Sequence, residues 1–241
     1  PTTAAELSAR GIGQLDFVYI IGDAYVDHPS FGPAIISRVL ESHGYTVGIL
    51  SQPDWHSAEA FRRLGRPRLA FLISAGNIDS MVNHYTSAKK RRSSDAYTPG
   101  GEAGKRPDRA TIVYANRARE AYRGVPVILG GIEASLRRFA HYDYWDDKVR
   151  RSILSDSGAD LLIYGMGERQ IVEIADALAG GLPAEQITYV NGTCYMTHSL
   201  ERVYEYETIE SYEAVARDKK AYAAAFMAQY REQDAIRGKR L

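Results

Sequence analysis

Apolar residues gather in five short runs, and between the runs they recur at helical spacing. The runs are Phe17–Ile21, Val47–Leu50, Leu69–Ile73, Val127–Leu129 and Leu161–Tyr164. Each has the length of a strand, is rich in branched or aromatic residues, and has Gly or Ser near its end. Four intervening segments read as helices. Pro33–Ser42 puts Ile36, Val39 and Leu40 on one face, and Glu168–Leu178 repeats Ile171, Ile174, Ala175 and Leu178. Arg109–Tyr122 is apolar on one side and charged on the other, and Ser57–Leu64 is a short helix with Ser57 as its N-cap. Strands alternating with helices imply parallel pairing, because parallel neighbours need a crossover. The pattern predicts a doubly wound α/β domain of flavodoxin-like type. Its sheet is expected to be mainly parallel and five-stranded, in the order 2-1-3-4-5.

Two regions break the rhythm. About 35 residues separate the third strand from the Arg109 helix, and they hold Lys89-Lys90-Arg91-Arg92 and Thr98-Pro99-Gly100-Gly101. Like charges, Pro and Gly with few apolar anchors predict that residues 88–105 are mobile or pinned only by partners. After Pro183, Ile187–Tyr189 and Thr193–Met196 read as an edge hairpin turning at Asn191-Gly192. Ser211–Ile236 reads as one alanine-rich, charged helix with little apolar stripe, of the kind that leans on something else. The division expected is a tail over 1–14, the α/β domain over 15–183, and a hairpin with helical linker over 184–241.

The 241 residues are 45% hydrophobic and 25% charged with formal net charge +0, the balance of a globular chain without a field for nucleic acid or membrane. No run approaches the ~20 apolar residues that span a bilayer, so no membrane partner is expected. The first residue is Pro1, which suggests a processed or cut chain. Cys194 is the single cysteine, read as a small buried hydrophobe. One thiol makes no internal disulfide, which fits the reducing cytoplasm, and it cannot hold an iron–sulfur cluster or a cysteine-based zinc site.

Five blocks carry more specific information. They are Gly22-Asp23-Ala24-Tyr25-Val26-Asp27-His28-Pro29-Ser30-Phe31-Gly32, Gln52-Pro53-Asp54-Trp55, Ala75-Gly76-Asn77-Ile78-Asp79-Ser80-Met81, Asp95-Ala96-Tyr97-Thr98-Pro99, and Gly130-Gly131-Ile132-Glu133-Ala134-Ser135-Leu136-Arg137-Arg138. His141-Tyr142-Asp143-Tyr144-Trp145 follows the last. In this order, from about residue 16 to residue 240, they resemble the N-terminal region of the YgiQ-like radical SAM proteins. The resemblance implies a parent with a C-terminal radical SAM domain carrying a 4Fe-4S cluster on a Cys-x3-Cys-x2-Cys motif, and S-adenosylmethionine. No such cysteine spacing exists in this chain. It also implies a leading domain like a cobalamin-binding fold, with Val127–Ser135 as its strand-Gly-Gly turn and Tyr164–Glu168 as its Gly-x-Gly-Glu turn.

In open α/β sheets ligands bind beyond the carboxyl ends of the strands, near the point where strand order reverses. Three turns are expected there. They supply Asp23, His28, Ser30 and Gly32 after the first strand, Gly130, Gly131, Glu133 and Ser135 after the fourth, and Gly165, Gly167 and Glu168 after the fifth. Glycines let the backbone approach a ligand, and helix starts favour anions. Gly131 is the position at which a bulky residue is expected to block the ligand and spare the fold. The same glycines also serve as plain strand-to-helix turns, and Glu133 as an ordinary acid at a helix start. Base-off cobalamin proteins carry Asp-x-His-x-x-Gly; here Asp27 adjoins His28 and Gly32 lies four residues on, so a hydrogen-bonded structural role for His28 is favoured over cobalt ligation. The aromatic His141–Trp145 loop is read as sealing a domain contact. Lys89–Arg92 is read as a solvated loop, which leaves RNA open as a partner. The reading is an accessory domain that positions a cofactor or substrate for a radical SAM domain. Its rival is a docking scaffold, whose strand-end turns would be plugged by Tyr25, Phe31 or Trp145.

Overall fold

A computed structural model describes residues 1–201, 203–234 and 237–241. In chain order the elements are α1 (Ala4–Ala9), β1 (Phe17–Ile21), α2 (Gly32–Ser42), β2 (Val47–Ser51), β3 (Ala70–Ser74), α3 (Ser80–His84), α4 (Ala110–Ala121) and β4 (Val127–Leu129). There follow α5 (Gly131–Leu136), β5 (His141–Asp143), β6 (Lys148–Arg150), α6 (Ile153–Ser157), β7 (Leu161–Ile163), α7 (Glu168–Ala179), β8 (Thr193–Tyr195), α8 (Tyr212–Arg217) and α9 (Lys219–Arg231).

The five apolar runs pair in parallel as β2-β1-β3-β4-β7, the flavodoxin-like order expected. Their sheet is buried on both faces, which is why the runs are continuously apolar and not alternating. Val18 and Ile20 of β1 face one core with Phe71, Tyr114 and Leu129, while Phe17, Tyr19 and Ile21 face the other with Leu40, Ile128 and Ile174.

The sheet has six strands where five were expected. The sixth, β8, pairs antiparallel to β7 in the register Leu161↔Tyr195, Leu162↔Cys194 and Ile163↔Thr193. Thr193–Tyr195 therefore does not form a hairpin with Ile187–Tyr189. Joining β7 covers that strand's free edge, and Ile187 and Val190 serve as buried core residues instead. The sheet thus runs past residue 183.

Other expectations are corrected on physical grounds. Ser57–Leu64 shrinks to a single 3-10 turn, Glu59–Arg62, ended by Gly65 in the left-handed region (φ 79°). Ser57 Oγ only accepts from Glu59 N at 3.4 Å. The long alanine-rich helix is two helices, broken at Asp218 (φ −127°, ψ 120°), whose side chain caps α9 by accepting from Lys220 N. The last two residues of that expected helix, 235 and 236, lie outside the described residues.

The long segment before α4 is held from within by charges. Arg106, fully buried, pairs with Asp23 at 2.8 Å and Asp95 at 3.0 Å and donates to the Ala75 carbonyl. Thr98 accepts from Gln52 Nε2 at 2.7 Å, and Ala24 N donates to Tyr97 O. Buried ion pairs replace the apolar anchors the sequence lacks there. The aromatic loop is likewise a β5–β6 hairpin, pinned by buried Asp143, which accepts from Arg109 and from the Trp145 and Asp146 N–H groups.

Candidate functional site

The carboxyl ends of the parallel strands meet a cavity of about 330 Å³. Its floor is apolar: Tyr19, Leu72, Ile128 and Ile163 lie on the sheet face that α2 and α7 cover, and Ile171 of α7 packs beside them. Its rim is backbone, since Gly32 opens α2, Gly130 and Gly131 open α5, and Gly165 and Gly167 precede α7. All three helices begin without a side-chain cap, their N-cap residues being Phe31, Gly130 and Gly167. Uncapped N-termini present N–H groups and the positive end of the helix dipole to the space they border, though α2 offers fewer, since Pro33 has no N–H and Ala34 N donates to Phe31 O.

The three expected turns therefore reach one place, but only part of each lines it. Gly32, Gly130, Gly131, Gly165, Gly167 and Glu168 do. Asp23, Glu133 and Ser135 stand behind the lining and hold it together. Asp23 accepts from Asn77 N at 2.7 Å and pairs with Arg106. Desolvation pushes its carboxyl above the usual range, and the Arg106 charge opposes this. Glu133, fully buried, accepts from Ser80 N at 2.7 Å, Ser80 Oγ at 2.6 Å and Thr111 N at 3.0 Å. One carboxylate thus caps the starts of both α3 and α4. Ser135 Oγ accepts from Gly165 N at 3.2 Å and donates to the Gly131 carbonyl, tying two turns together.

His28 and Ser30 are exposed and outside the lining. The Ser30 N–H donates to His28 Nδ1 at 3.1 Å, and the adjacent Asp27 pairs with Arg38, not with the imidazole. No group of three His, Cys, Asp or Glu placed to hold a metal occurs among the described residues. With one cysteine, the donor set does not fit an iron–sulfur cluster.

Two glycines differ in a way the sequence hides. Gly131 sits at φ 82°, and a Cβ there would lie 2.5 Å from Ser74 Oγ, so a bulky residue would strain the fold itself. Gly130 has extended backbone (φ −155°), and a Cβ there meets nothing within 4 Å.

The end of β3 and the loop after it contribute Ser74, Gly76 and Asn77, which sequence reasoning left out of the site. The signal was present: in the order 2-1-3 the chain reverses between β1 and β3, so the loop after β3 borders the switch point. Gly76 is required there, since at φ 117° a Cβ would fall 2.0 Å from Asp23 Oδ1. Ser74 also hydrogen-bonds the buried Tyr19 phenol; burial pushes that phenol above its ordinary range, so it stays neutral.

Fold and cleft define a class: a doubly wound, flavodoxin-like α/β domain with a ligand-sized opening at the carboxyl rim of its sheet. Within that class the chain belongs to the radical SAM N-terminal family, whose family model matches residues 1–241. A UPF0313 protein of Clostridium perfringens strain SM101 is 59% identical over 242 residues, covering 100% of this chain and 37% of that protein. One of Clostridium botulinum strain 657 is 57% identical over 241 residues, covering 100% of this chain and 38% of that protein. The chain thus spans well under half the length of these relatives, as an N-terminal region. No solved structure matches it. No helix among the described residues is long and apolar enough to cross a membrane.

Proposed function

We propose that this chain is the accessory domain of a radical SAM enzyme and holds a small organic cofactor or substrate in the cleft at its strand ends. The observation that carries the reading is the cleft's two-part chemistry. Three uncapped helix starts and open glycine turns surround the mouth, while the interior is lined by Tyr19, Leu72, Ile128 and Ile171. Such a site suits a ligand with a flat or apolar part and a polar or anionic tail. The scaffold reading loses support on the same ground, since Tyr25, Phe31 and Trp145 do not line the cleft.

The 4Fe-4S cluster and S-adenosylmethionine implied by the family are assigned to the radical SAM domain of the longer polypeptide. The cavity of about 330 Å³ is too small for a whole cobalamin, and its apolar floor and glycine rim suit at most the nucleotide tail of that ligand class. His28 does not fit as its cobalt ligand, being outside the lining, so no step is assigned to that residue. What this chain's own atoms do is bind and orient: amides grip the tail, the apolar floor excludes water, and Ser135, Asp23 and Glu133 fix the turns.

The test is a calorimetric titration of hydroxocobalamin and, separately, S-adenosylmethionine into the protein. Saturable 1:1 binding of hydroxocobalamin, abolished by filling the cleft at Gly130, with S-adenosylmethionine left unbound as the control, is the expected result. Binding that survives a filled cleft, or no binding of hydroxocobalamin, refutes the reading.

A further inference from the structure

A second, wider concavity of about 880 Å³ lies around the corner from the cleft, between α3, the end of α5, the β5–β6 hairpin and α9. Val82, Leu136, Tyr142, Tyr144, Phe226 and Tyr230 line it and are all exposed, with Leu136 at 63% and Tyr230 at 59%. A continuous exposed patch of this kind marks an interaction surface. Its rings are already fixed. Tyr144 Oη donates to Ser87 O at 2.6 Å, Tyr142 Oη donates to Asp147, and Phe226 and Tyr230 stack at 6.4 Å. Side chains held in place lose little entropy on docking.

The geometry points to this groove as the seat of the polypeptide that follows residue 241 in the longer protein. Nearly two thirds of each relative lies outside the match, so a large partner is covalently attached. The point of exit is beside the groove. Leu241, with Met196 and Leu200, lines an adjoining hollow that shares Ala140, Val215, Ala225 and Gln229 with it. Helix α9 has one fully buried residue, Ala225, and turns Phe226 and Tyr230 outward, so its apolar face lacks a cover within this chain. The groove is also continuous with the cleft: on α5, Ile132 lines the cleft and Leu136, one turn on, lines the groove. A domain seated there closes over the cleft's mouth. The surface requires only that the chain be an N-terminal region, so it stands whether or not the cleft binds a ligand.

The test uses the full-length protein at low concentration, with a photo-crosslinking phenylalanine analogue placed at Leu136 or at Phe226. Both positions are exposed, so the change spares the core. The expected result is an intramolecular crosslink from either position to residues beyond 241, located by mass spectrometry. Amide exchange over 139–145 and 219–231 should also quicken about tenfold or more in the Leu136→Glu, Phe226→Glu double variant. Circular dichroism confirms that the double variant is folded. If it is not, the crosslinks alone decide. Crosslinks confined to residues 1–241, crosslinked dimers, crosslinks to co-purifying nucleic acid, or none at all overturn the proposal. Ligand titration reads the cleft and crosslinking reads the groove, so the two claims fail separately.

Discussion

Replacing Glu133 by Ala removes a single acceptor that serves three donors on two helices. The Ser80 N–H begins α3 and the Thr111 N–H belongs to the first turn of α4; both are buried, and both donate to this carboxylate. The Ser80 hydroxyl, which also accepts from Ala110 N at 3.0 Å, donates to it as well. Ser80 and Thr111 are both 0% exposed, so bulk water does not contact these donors in the native fold. A buried donor left without an acceptor costs about 1–3 kcal/mol, so two orphaned amides and a weakened hydroxyl give roughly 3–5 kcal/mol. That is a large share of the ~5–15 kcal/mol by which domains are stable. Glu133→Gln keeps one carbonyl oxygen but turns an amide N–H toward a donor, and should lose about half as much. Urea denaturation of the chain, followed by circular dichroism at constant m-value, measures both. A loss below ~1 kcal/mol for Glu133→Ala would show that the carboxylate is not the clamp described. Lost ligand binding at unchanged stability would return Glu133 to the cleft lining from which the structure removes it.

The two adjacent glycines should separate binding from folding. Gly130→Leu adopts its backbone without strain and extends into open cleft, so stability should change by no more than ~0.5 kcal/mol while ligand binding is lost. Gly131→Ala meets Ser74 Oγ at a left-handed position and should cost about 1–3 kcal/mol, read from the same denaturation curves. Acid should weaken the fold through Asp95 and Asp143. Burial alone would raise both, but N–H donors together with Arg106 for Asp95, and Arg109 for Asp143, overcome it and hold them below the usual range. Their contribution is therefore complete above the unfolded value near 4 and is lost as pH falls through the lower folded one. Asp23, raised mainly by desolvation, has the opposite sign and offsets part of this. Urea midpoints should be level between about pH 6 and 5 and fall below about 4, with a shallower fall in Asp143→Asn; an unchanged slope in that variant would refute the assignment.

What was legible in the sequence follows from what each signal measures. The parallel strands showed themselves because a sheet covered on both faces needs unbroken apolar runs, and β1 buries all five of its residues. β8 was legible as a strand but its partner was not, because Thr193, Cys194 and Tyr195 are only half-buried and read equally well as a hairpin arm. Charge also misled in two places. Residues 88–105 looked unanchored because composition counts apolar residues, whereas their anchors are Asp95 and the Arg106 it meets in space. Glu133 looked like a ligand residue because a carboxylate after two glycines at a strand end has the same sequence whether it turns outward to the cleft or inward to α3 and α4.

That ambiguity has a consequence for how this rim can recognise anything. Asp23, Glu133 and Ser135 are consumed in holding the turns after β1, β3, β4 and β7 to one another. The lining is left to glycine backbone, helix starts and an apolar floor, with Asn77, Glu168 and the Ser74–Tyr19 pair as its polar side chains. A backbone rim reads shape and charge at close range and is altered little by side-chain substitution. If the cleft holds the tailed ligand proposed above, selectivity falls to Asn77 and Glu168 at its mouth. Because Glu168 places a carboxylate in the first turn of α7, it takes up that helix start's preference for negative charge itself, and a ligand tail there would have to offer a hydroxyl or amine to Glu168.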